Sequence, residues 1–147
     1  MFYACYLKKG SVLIPTLAKV RGGPHWTVEP VVVVRVTDTD ALRDALREAI
    51  ARGNPIIPKI PSREARSVPA ALKRAGFKST LAFKRDSLGW WLTEDGGVYT
   101  IEGLMEKEGY HGGKVTDPDQ TETFPPGTSV ETVIDRMIAI LQSAHAR

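Results

Sequence analysis

Two acidic pairs, Glu94-Asp95 and Asp117/Asp119, come closest in this chain to residues whose type and spacing do chemistry. Carboxylates so placed can act as general acid and base, or can share a magnesium ion. Each pair, however, falls in a turn signature, Glu94-Asp95-Gly96-Gly97 and Asp117-Pro118-Asp119. Short acids are favoured there because their side chains bond the neighbouring backbone. Turn formation is therefore the reading for both pairs, and no catalytic residue is expected.

The other reactive residue types are dispersed. His25, His111 and His145 lie far apart, and none belongs to a His-x-x-x-His or His-Glu-x-x-His pair, so no metal site is expected. Neither Gly-x-Gly-x-x-Gly nor Gly-x-x-x-x-Gly-Lys-Ser/Thr occurs, nor does a Gly-x-Ser-x-Gly elbow. No cofactor is expected. Cys5, the only cysteine, has no internal partner and reads as a small core residue on the first strand. Trp90 and Trp91 are adjacent in a strand pattern, so they must point to opposite faces, one into the core and the other outside. The outward indole either covers sheet surface or anchors a partner.

Charge is divided along the chain. From Arg52 to Arg85 there are nine bases against the single acid Glu64, a net of +8, and from Asp86 to Asp135 eleven acids against Lys107 and Lys114, a net of −9. Such a division steers a charged partner, is neutralised across the fold, or simply solvates the surface. The basic segment 52–85 raises nucleic-acid binding as the alternative function, with Lys73, Arg74, Lys84 and Arg85 as the phosphate contacts.

The elements that must position these residues are read from periodicity. The expected class is α+β: a mostly antiparallel sheet, built as two meanders and covered by two amphipathic helices, 38–52 and 129–145. The organising stretch is Val31–Ile50. Four consecutive valines without alternation predict a strand buried on both faces and central in its sheet. Thr37 or Asp38 then caps a helix whose Leu42, Ala45, Leu46, Ala49 and Ile50 share one face. Asp44/Arg47 and Glu48/Arg52 stand at ion-pair spacing, and Gly53 and Pro55 end the helix.

Before it, Phe2–Leu7 and Val12–Val20 form a hairpin through Gly10, with Pro15 at an edge or bulge and Pro30 at a bulge or strand start. After it, prolines at 55, 58 and 61 favour an extended strap that lays its isoleucines along the body instead of a paired strand. Pro69 and Gly76 bracket a short helix, Ala70–Ala75. Trp90–Thr93 and Val98–Glu102 pair as a hairpin, followed by a turn at Glu108–Gly113, a strand at Lys114–Thr116, the Asp117-Pro118-Asp119 turn, and Thr121–Phe124. Thr128 and Glu131 have capping-box spacing before the stripe Val130, Val133, Ile134, Met137, Ile138 and Leu141.

At 147 residues the chain is most simply one domain, 1–147, able to bury about 68–70% of its unfolded surface. Phe2–Leu7 is too short for a signal peptide and no run is long enough to span a bilayer, so a cytoplasmic protein with no membrane partner is expected.

Several stretches together have a familiar pattern: Pro30-Val31-Val32-Val33-Val34 into Thr37-Asp38-Thr39-Asp40, the Arg52-Gly53-Asn54-Pro55 exit, and Phe124-Pro125-Pro126-Gly127-Thr128-Ser129-Val130-Glu131 before Ile134-Asp135-Arg136-Met137-Ile138. Across most of its length the chain resembles small bacterial immunity proteins of contact-dependent growth-inhibition toxins. The resemblance implies a non-enzymatic protein that binds and neutralises a cognate toxin domain, and it carries no catalytic residues. On that reading the partner-binding residues expected to face a basic toxin are Glu94, Asp95, Glu106, Glu108, Asp117 and Asp119.

Overall fold

The computed structural model of the protein describes residues 1–62, 70–106 and 114–147. In chain order the elements are β1 (Phe2–Lys8), β2 (Ser11–Val20), β3 (His25–Arg35), α1 (Thr39–Arg52), β4 (Ile56–Ile57), α2 (Ala70–Arg74), α3 (Thr80–Lys84), β5 (Leu88–Asp95), β6 (Val98–Glu106), β7 (Lys114–Thr123) and α4 (Val130–Ala146). The fold is α+β. One sheet runs in the order β3-β2-β1-β5-β6-β7 with antiparallel neighbours throughout, and β4 adds a parallel pair to β2. The two meanders are thus joined into a single sheet where β1 pairs with β5 from Phe2↔Thr93 to Leu7↔Leu88.

That long-range pairing overturns the expectation for the valine run. β3 is an edge strand, because β1 and not β3 meets the second meander. The missing alternation has another cause, since both faces are covered even at this edge. Val32 and Val34 pack on the cluster that α1 and α4 build on one face, while Val31 and Val33 join a second cluster under α2 and α3 on the other.

Both edges are blunted by proline bulges. In β3 the register slips at Pro15/Thr16, leaving Glu29 and Pro30 outside the ladder. In β7 the register slips opposite Glu102/Leu104, so residues 117–120 bow out of the ladder. A proline has no N–H to offer an incoming strand, so each edge resists pairing with another chain.

The first helix is capped as its sequence suggests: Asp38 Oδ1 accepts from Ala41 N–H at 3.1 Å. Gly53 closes it at φ +69°. Asp44 meets Arg47 at 3.6 Å, but the expected Glu48–Arg52 pair does not form, because Arg52 Nε turns inward to donate to Thr16 Oγ1 at 2.9 Å.

The second helix differs at its start. The cap is Ser129, whose Oγ accepts from Thr132 N–H; Thr128 Oγ1 donates to Pro125 O, and Glu131 reaches across to α1. The expected Thr128/Glu131 capping box is therefore absent. The apolar stripe from Val133 to Leu141 is buried against the sheet as expected.

Two further corrections concern the segment between α1 and β5. The proline-rich strap does pair, through Lys19↔Ile56 and Val20↔Ile57, and it points Ile56 outward at 69% exposure. A second short helix, α3, follows α2; Ser79 Oγ starts it by accepting from Ala82 N–H. The sheet is therefore sandwiched between α1/α4 and α2/α3, not covered on one side only.

Candidate functional site

The sheet disperses the acids expected to form a single face. Glu94 and Asp95 lie at the β5–β6 turn, where Asp95 pairs with Val98, whereas Glu106 sits at the far end of β6 beside Lys114. β6 spans nine residues, so at roughly 3.3 Å per residue about 26 Å separates its ends. Asp117 and Asp119 lie between, one strand outward, in the β7 bulge, and Glu108 lies outside the described residues.

The turn reading of the acids holds for several of them. Glu94 Oε1 accepts from Gly97 N–H at 2.8 Å. Asp117 Oδ1 accepts from Asp119 N–H at 2.9 Å and its Oδ2 from Gln120 Nε2 at 2.8 Å, while Thr121 Oγ1 donates to Asp117 O at 3.1 Å. These bonds fold residues 117–120 into a compact loop carried by the strand. The carboxylates of Asp95, Glu106 and Asp119 are exposed and take part in no ion pair among the described residues.

Among the described residues, no ion pair joins the basic segment 52–85 to the acidic segment 86–135. The acids that are paired, Glu122, Glu131 and Asp135, meet Arg136, Arg47 and Arg43 on the α1/α4 side. None of the described cations of 52–85 (Arg52, Lys59, Lys73, Arg74, Lys78, Lys84, Arg85) is in an ion pair with a described residue. Among the described residues, the cations of the α2/α3 layer and the acids of β5 and β6 are thus left without ion-pair partners.

A surface that sequence reasoning did not assemble lies on the α2/α3 face of the sheet, at the end near the β5–β6 turn. Trp90 is core, 4% exposed, among the α1/α4 residues. Trp91 points the other way, but it is half-buried at the margin of the second cluster and not fully outside. Its ring meets Phe2 at 5.1 Å, and Phe2 meets His25 at 4.9 Å. Residues directly opposite in antiparallel pairs share a face, so Glu102 stands beside Trp91, and Thr93 and Thr100 beside Phe2. Strand alternation puts Asp95 on this face as well.

An open groove of about 570 Å³ lies on the opposite side of the sheet, between β7 and α4. Trp90 and Ile101 form its floor, and Asp119, Glu122, Arg136 and Arg147 are among its walls. Glu122 is already held by Arg136 Nε at 2.8 Å. The wall depends on Gly103, since a Cβ there would sit 2.6 Å from Gln120 Cβ. Only glycine lets the bulge lie this close to β6.

Cys5 is a core residue, as its sequence context suggests. Its Sγ lies 3.7 Å from Met137 Sδ, and burial pushes the thiol up to about 12. No thiolate is available there at neutral pH. No described helix is long and apolar enough to cross a membrane.

No family model matches this chain, and no curated protein matches it. Among solved structures, a protein of unknown function from Neisseria meningitidis is similar over 97% of this chain and 93% of its own length, with a TM-score of 0.61 and 12% sequence identity. At that identity the likeness is one of fold.

Proposed function

We propose that this protein is a non-enzymatic immunity protein that binds and neutralises a cognate bacterial toxin, docking it on the aromatic and acidic end of the α2/α3 face. The observation that carries the reading is the setting of Trp91. A large ring, half-buried and steadied by Phe2, stands beside Glu102 and on the same face as Asp95. Neither carboxylate is ion-paired to a described residue. Aromatic anchors rimmed by uncompensated charge are the chemistry of protein interfaces, where the ring supplies affinity and the charges supply orientation and rate. The partner that fits is a cationic protein domain. Glu94, on the opposite face of β5, and Asp117 and Asp119, in the β7 bulge, lie outside this docking surface.

The experiment coexpresses the full chain with toxin domains of the contact-dependent growth-inhibition class and follows growth, with association measured on the purified proteins. Protection and a salt-dependent complex are expected, lost in Trp91→Ala and slowed in Asp95→Lys/Glu102→Lys. Killing undiminished by the wild-type chain, or a complex indifferent to all three substitutions, overturns the reading.

A further inference from the structure

We propose that the α2–α3 layer is a second and separate binding surface, for the phosphate backbone of double-stranded nucleic acid. Its cations come from several elements: Lys73 and Arg74 at the end of α2, Lys78 in the link, Lys84 and Arg85 at the end of α3, and Lys9 in the β1–β2 turn. They form one surface because these elements are tied together. The Phe77 and Phe83 rings pack at 4.8 Å, and Lys8 Nζ donates to Ala82 O at 3.2 Å and Arg85 O at 2.9 Å, fastening the end of β1 to the end of α3.

Lys8 and Lys84 have different parts in this surface. The Lys8 ammonium is satisfied by those carbonyls. Lys84 Nζ lies 5.0 Å above the Tyr6 ring with neither a carboxylate nor a hydrogen-bond acceptor among the described residues. Burial lowers its pKa. A half-buried ammonium without an acceptor is unfavourable, and an incoming anionic oxygen relieves it.

The distribution of charge selects the ligand. The cations sit on long side chains spread over two helices, their link and a turn, which suits evenly spaced phosphates better than the few carboxylates of a folded protein. The aromatics of this layer are not available for stacking, as Phe83 is fully buried and Phe77 lies beneath Lys8 Nζ at 5.2 Å. Single strands are held largely by stacking, so the duplex backbone, read without regard to sequence, is the better match. Asp86 and Glu106 lie at this end of the sheet but are outnumbered by the cations, and the acidic β5–β6 turn is far away. β5 has eight residues between the two regions, so about 23 Å lies between its ends, more than two screening lengths of roughly 8 Å at physiological salt.

The test titrates the full chain into two fluorescently labelled duplexes of unrelated sequence at several salt concentrations, with a matching single strand and polyglutamate as competitors. Arg74→Glu/Arg85→Glu alters two exposed cations whose guanidinium groups make no ion pair among the described residues, so folding, checked by circular dichroism, is retained. Both duplexes should bind alike, with log affinity falling linearly with log salt. The double variant should weaken binding by about tenfold or more and lower the slope by roughly 2. Absence of binding at low salt overturns the proposal, as does affinity unchanged in the variant. Tighter binding of the single strand, or displacement by polyglutamate at equal charge, overturns it in favour of a stacking or an acidic-protein ligand respectively.

Discussion

The Asn54 side chain and the Phe2 backbone exchange two hydrogen bonds: Phe2 N–H donates to Asn54 Oδ1 at 2.8 Å, and Asn54 Nδ2 donates to Phe2 O at 2.7 Å. Nδ2 also reaches Leu17 O at 2.8 Å. The pairing of β1 with β2 runs from Lys8↔Ser11 to Tyr6↔Leu13, and beyond it this one amide does the work of a ladder between Phe2 and Leu17. Asn54 thereby links the exit of α1 to two strands of the sheet.

Replacing Asn54 by Ala leaves partly buried backbone groups unsatisfied. With a net worth of roughly 0.5–1.5 kcal/mol for each bond, the loss should be about 2–4 kcal/mol. Asn54→Asp keeps the acceptor, loses both donated bonds and sets a carboxylate against two carbonyls, so it should be no milder. The urea midpoint of each variant reports this, and a shift under about 0.5 kcal/mol for Asn54→Ala contradicts it.

Arg47 and Glu131 form a bidentate pair across the α1–α4 seam, at 2.7 and 2.8 Å. The hydrogen bonds from Arg47, with the added charge of Arg43, hold the Glu131 carboxyl below its ordinary value of 4.5. A group depressed in the folded state contributes stability above its unfolded pKa and loses it as pH falls through the folded value. Stability should therefore decline as pH drops from about 4.5, and Glu131→Gln should be slightly less stable than wild type at pH 7, with a flatter limb that converges on wild type at low pH. Both side chains are solvent-exposed, so the effect is modest and fades in salt. Urea midpoints against pH that run parallel in wild type and Glu131→Gln would refute the assignment.

Much of this architecture is written in local signals. Asp38 and Gly53 mark α1, Gly10 and Gly96-Gly97 mark the hairpins, and Val133 to Leu141 marks the buried face of α4. What could not be read depends on pairing between distant segments. The valine run lies at an edge because strand order is decided by β1 meeting β5, and no feature of Val31–Val34 encodes that. Closeness in sequence suggests one face for the Glu94–Asp119 acids, yet antiparallel strands carry such residues to opposite ends of the sheet. Trp91 with Glu102 was not assembled either, although the hairpin register was already implied by the Gly96-Gly97 turn. Helix α3 did have a signal, Ser79 followed by Thr80-Leu81-Ala82, too short to outweigh the surrounding bases.

Gly103 is the position where that long-range arrangement is most exposed to a single atom. Its Cβ would meet Gln120 Cβ at 2.6 Å, the Gln120 side-chain carbonyl oxygen at 2.8 Å and Cδ at 3.0 Å. The nearest of these belongs to the base of a side chain, so rotation alone does not relieve it. Gly103→Ala should push residues 117–120 away from β6, lengthen the Asp117–Gln120 bond, and cost about 1–3 kcal/mol as overpacking. Gln120→Gly removes all three of these clashes at their source, so the double variant should recover most of that stability where Gly103→Ala/Gln120→Asn does not. Urea midpoints for the three variants decide the point, and equal destabilisation of both doubles means that something other than Gln120 requires the glycine.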